Sequence, residues 1–195
     1  MELKSHIDKN FKNAILVSFL YFITYSVVFG LAKVEATVNA YTQFVSLIFL
    51  PHGVRVLTTL IFGSLAGFFY LLCASIITEF FYRGFNQEMG IIIQLMPLLV
   101  GAMSAPLAFS LVSFSIGRDR TYLERPDTRS WRVLTILTLT SAVINGFGQT
   151  VVTELNGHEI PTMKIELSFI LGDTIGTFVV LLIAYLVIRF SNRKN

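Results

Sequence analysis

The chain has 195 residues, of which 54% are hydrophobic and only 14% charged, and its mean hydropathy is +0.69. Charged residues make up near a quarter of a soluble domain, so a soluble globular protein is excluded and the whole chain, 1–195, reads as one integral membrane domain. The net charge of +3 comes from basic residues clustered between apolar runs, which points to one membrane face and not to nucleic acid.

The first apolar run, about 14–32, follows a basic start and is longer than the core of a signal peptide, so it reads as a retained span. The stretch 40–81 would measure about 63 Å as one helix at about 1.5 Å per residue, twice a hydrocarbon core, and must cross twice. Its turn is expected at Phe62–Gly67, where Gly63 and Gly67 permit a reversal. Further spans follow at about 90–116, 131–153 and 167–189, giving an all-α bundle of about six transmembrane helices. Pro97 and Pro106 are expected to bend the fourth span, by packing or as a hinge.

Eleven of the fifteen Lys and Arg residues fall in three segments: Lys4, Lys9 and Lys12; Arg118, Arg120, Arg125, Arg129 and Arg132; Arg189, Arg193 and Lys194. Six spans put all three on one side. The opposite loops hold Glu35, Glu88, Glu154, Glu159 and Glu166, with only Lys33, Arg83 and Lys164. This bias predicts a multi-pass protein of the bacterial inner (plasma) membrane with both termini cytoplasmic.

Within the second span, about 42–62, the segment Pro51-His52-Gly53-Val54-Arg55 interrupts apolar sequence. Proline removes a donor and glycine relaxes the backbone, so the helix is expected to break near Pro51–Gly53. Such breaks survive in lipid where protein or a wet cavity satisfies the freed groups, as at the midplane sites of transporters. A proline kink without any ligand is the plainer reading. A second placement puts Pro51–Arg55 at the cytoplasmic turn between spans 34–50 and 55–81; the matched lengths of the first placement favour it.

An arginine at membrane depth costs about 2.5–3.5 kcal/mol to insert and normally finds an anion inside the bundle. Asp173, between Gly172 and Gly176 in the sixth span, is the one acidic residue deep in a predicted span. An Arg55–Asp173 pair is therefore expected, either as a register-fixing ion pair or as a charge-coupled, ligand-binding centre. His52, Glu79, Gln94, Asn145 and Gln149 fall at similar depth, the last two on one helix face. They either line a pocket or join helices by hydrogen bonds. Tyr21, Tyr25, Tyr41 and Tyr70 read equally as belt residues or pocket walls. Cys73 lies in an apolar run and is expected to pack; His6, His52 and His158 lack metal-ligand spacing. No metal, no cofactor and no enzymatic constellation is expected.

"LPHGVRVLTTLIFG" (50–63) and "FILGDTIGTFVVLLIAYLVIRF" (169–190) together resemble the MASE1 group of bacterial integral membrane sensor domains, with Pro51, Gly53, Gly63, Gly172, Asp173 and Gly176 as the matching positions. The resemblance implies a module that receives a small-molecule or membrane-state signal; with no output domain after the last span, it would pass that signal to a separate protein. The six-helix plan and the turn "LIFGSLAG" (60–67) are also similar to substrate-binding components of energy-coupling-factor transporters, although the first span has no alanine-x-x-x-alanine docking motif. That similarity implies a small-solute uptake component working with an ATPase. A scaffold or accessory subunit of a membrane complex is the third expectation. All three have the lipid bilayer as partner, and the first two admit a small-molecule ligand.

Overall fold

The computed structural model describes residues 2–38, 48–82, 90–116, 128–156 and 162–191, and they form five α-helices. These are α1 (Glu2–Val38), α2 (Leu50–Tyr82), α3 (Ile91–Ile116), α4 (Thr128–Leu155) and α5 (Thr162–Ser191). Each is long and apolar enough to cross a membrane. The surface matches that reading, since Phe114, Leu65 and Phe81 are 89%, 74% and 70% exposed. Polar side chains are turned inward instead, as hydrocarbon surroundings require.

The expected second and third spans fall within one described helix, α2, so five helices stand where six were expected. Gly63 breaks the helix with φ 82° and ψ 175°, a conformation open only to a residue without a Cβ. A Cβ on Gly67 would lie 3.1 Å from the Cα of Thr59, and the rings of Phe62 and Tyr70 are 5.1 Å apart. In an uninterrupted helix residues eight apart are separated by about 12 Å, so the chain doubles back at Gly63 and the arms lie side by side.

The expected break at Pro51–Gly53 is, in the described residues, a helix start. Ile48 and Phe49 are not helical and α2 begins at Leu50. Pro51 stands in the first turn, where its missing N–H removes no helical hydrogen bond. Residues 42–47 of the expected second span lie outside the described residues, as do Tyr41, Arg83, Glu88, Arg118, Arg120, Arg125, His158, Glu159, Arg193 and Lys194. α3 runs as one helix through Pro97 and Pro106.

Side-chain contacts fix the direction of each arm. Tyr70 bonds Asn10 and Tyr82 bonds Ser26, so residues 64–82 run parallel to α1. Gly101 packs on Arg55 and Ser110 bonds Ser64, so residues 50–62 run parallel to α3. Val100 meets Gly148, while Val112 and Leu137 share a core cluster, making α3 and α4 antiparallel. Phe49 bonds Gly172 and Gly53 abuts Val180, which aligns the first arm with α5. Gly63 therefore lies at the same end of the bundle as Asn10, the end of α3, the start of α4 and the end of α5. The exposed residues Lys9, Lys12, Arg132 and Arg189 gather at that end.

Candidate functional site

The first arm of α2 starts beside Gly172 rather than at a bundle end. The Phe49 N–H donates to the Gly172 carbonyl at 2.9 Å, and the 48–50 backbone passes directly over Gly176. A Cβ on Gly176 would collide with the Phe49 carbonyl. Gly176, expected with Gly172 to admit a neighbouring helix, here admits the non-helical backbone that precedes α2. As a result residues 50–63 touch residues 169–190.

His52 and Arg55 project from the first two turns of this arm into the bundle, at 0% and 5% exposure. Nη2 of Arg55 donates to the Tyr21 hydroxyl on α1 at 2.7 Å. Nη1 reaches the Asn145 carbonyl oxygen on α4 at 3.5 Å. The Asn145 amide then donates to Oδ2 of Asp173 on α5 at 2.6 Å. The same Oδ2 lies 3.3 Å from Nδ1 of His52, whose Nε2 is 3.0 Å from the Ser141 hydroxyl. Gln149, one turn beyond Asn145, donates to the Pro97 carbonyl on α3 at 2.9 Å. One chain of polar contacts thus joins α1, α2, α4 and α5.

The expected Arg55–Asp173 pair is not a direct contact. The two charges are bridged by Asn145, and the carboxylate's close ionisable neighbour is His52. Among the described residues no carboxylate lies within ion-pair distance of the Arg55 guanidinium, which instead sits 5.6 Å from the ring centres of both Tyr21 and Phe49. That sandwich favours a cation electrostatically. Gly101 makes the space, since a Cβ there would lie 2.5 Å from Nη2.

Satisfaction is incomplete. Nε of Arg55 and Oδ1 of Asp173 are buried without a hydrogen-bond partner among the described residues, and each such group costs about 1–3 kcal/mol. Of the expected centre, Arg55, Asp173, His52, Asn145 and Gln149 come together. Glu79 and Gln94 are half-buried and hold contacts of their own. Cys73, expected to pack, is exposed. No group of residues suited to holding a metal occurs among the described residues.

Three participants lie outside the residues that the sequence marks. Ser141 extends the four-residue spacing of Asn145 and Gln149 to a third position, so it was readable. Phe49 and Gly101 carried no signal that distinguishes them from their apolar surroundings. No protein-family model, curated protein or solved structure matches the chain.

Proposed function

We propose that the chain is a multi-pass module of the bacterial plasma membrane that receives a small-molecule or membrane-state signal and passes its state to a separate protein. In this reading the two arms of α2 are separate crossings, giving six, and the basic end of the bundle with both termini faces the cytoplasm. The observation that carries it is the polar chain at Asp173. It couples four helices through one buried carboxylate while leaving a charged atom on Asp173 and another on Arg55 unpartnered. A bundle needing only stability gains little from such an arrangement, since apolar replacements of buried ion pairs are often neutral or stabilising. A partly satisfied network offers two states of similar free energy for a signal to choose between.

The resemblance of residues 50–63 and 169–190 to the MASE1 sensors supports the same reading, because those segments hold the first arm and Asp173 against each other. The test is Asp173→Asn at the native locus. At wild-type abundance this variant is expected to reproduce the transcriptional or second-messenger change of a deletion strain. A wild-type profile at that abundance refutes the sensor reading.

A second reading, a small-solute uptake component, is favoured by one observation: α2 begins beside Gly172, inside the bundle, as discontinuous helices do in transporters. It predicts co-purification with an ATPase, which the sensor reading does not.

A further inference from the structure

Three buried atoms of the centre lack a hydrogen bond, Nε of Arg55, Nδ1 of His52 and Oδ1 of Asp173, and the first and last have opposite polarity. Nε of Arg55 is a donor and Oδ1 of Asp173 an acceptor, each buried and without a hydrogen bond. The amide of Asn145 bridges the same two groups at other atoms, its carbonyl oxygen facing Nη1 of the guanidinium and its nitrogen Oδ2 of the carboxylate. Its two contacts are unequal, 3.5 Å to Arg55 against 2.6 Å to Asp173. The longer lies at the limit of a hydrogen bond, so the Arg55–Asn145 link is a weak one, while the 3.0 Å contact of His52 with Ser141 still holds α2 to α4.

The charge balance restricts what can enter. Arg55 and Asp173 carry opposite charges in one buried volume, at 5% and 0% exposure. An added anion or an added cation would leave one net charge buried, at high cost. A molecule with both signs leaves the balance unchanged and supplies an acceptor to Nε and a donor to Oδ1. The helix start at Leu50 adds a positive dipole end on the Arg55 side, and the Tyr21 hydroxyl stands 2.7 Å from Nη2. In an α-amino acid two carbons separate a carboxylate oxygen from the ammonium nitrogen, one more than separate the oxygen and nitrogen of the Asn145 amide. The two present the same order of polarity, the amino acid over the longer span.

Resting on the ligand-receiving reading above, we propose that this centre binds a small zwitterion of the α-amino-acid class, its carboxylate on Arg55 and Tyr21 and its ammonium on Asp173. The long Arg55–Asn145 contact opens to admit it.

The test is thermal unfolding of the full chain in detergent, with each of the twenty L-α-amino acids added singly and acetate and methylammonium as one-charge controls. At least one amino acid is expected to raise the midpoint saturably, by about 5 °C or more at roughly a hundredfold excess over its Kd. The controls leave it in place. Asp173→Asn abolishes the shift. Tyr21→Phe, which keeps the ring and removes one hydroxyl, weakens binding about tenfold, the worth of one hydrogen bond to a charged group. No shift with any amino acid, an equal shift with acetate, or unchanged binding by both variants overturns the proposal. The strain experiment fails independently: saturable binding beside an unaffected signalling profile removes the sensor reading and leaves this one standing. A lost profile without binding does the reverse.

Discussion

Asn145 decides how the two formal charges meet. The sequence made Arg55 and Asp173 partners because each needs compensation in lipid, and that much was legible. The bridge was not, because it depends on α4 standing between α2 and α5, and no spacing within one helix encodes that. Asn145 and Gln149 were legible as a stripe, and Ser141 continues it. Gly101 was illegible: a glycine in an apolar helix reads as helix packing, whereas here it clears room for a guanidinium. Gly101→Ala places a methyl 2.5 Å from Nη2 and is expected to destabilise the protein by about 1–3 kcal/mol, the usual cost of overpacking. Gly30→Ala, with nothing within 4 Å, should be neutral or slightly stabilising, since alanine favours helix. Melting midpoints in detergent compare the two, and equal midpoints would discount the packing argument.

At the scale of elements, α2 carries both the clearest success and the clearest correction. The glycine-rich turn at Phe62–Gly67 was readable from composition, and the reversal falls on Gly63. Pro51–Gly53 was readable as an irregularity but not as a helix start, because a proline that breaks a helix and one that opens it give the same local sequence. The register of the following backbone distinguishes them, and it is set by the Phe49–Gly172 hydrogen bond from a distant helix. The backbone at Gly63 lies outside the left-handed helical region that asparagine tolerates, in the region that only glycine enters readily. Gly63→Ala and Gly63→Asn are therefore expected to cost about the same, about 1–3 kcal/mol, by thermal unfolding. An asparagine variant as stable as the parent would show that the turn is an ordinary left-handed one.

For the molecule as a whole, the apolar exterior and polar interior followed from composition, and five membrane-length helices bear out the membrane bundle. The orientation of each arm needed cross-helix contacts such as Tyr82–Ser26 and Ser64–Ser110, which sequence does not supply. If the basic end faces the cytoplasm, Ser64→Cys in a Cys73→Ala background resists a membrane-impermeant maleimide added to intact cells and reacts after permeabilisation. Glu154→Cys, at the opposite end of α4, reacts in intact cells. The reverse pattern would invert the assigned orientation.

The placement of Asp173 on the final helix also sets a problem of timing. Ribosomes deliver Arg55 to the insertion machinery long before they deliver the carboxylate that answers it, and Asn145 arrives in between. Until α5 enters, the newly made hairpin carries an unanswered cation beside the acyl chains, where aromatic Tyr21 is its earliest available companion. The polar centre is thereby completed only when α5 joins α2 and α4.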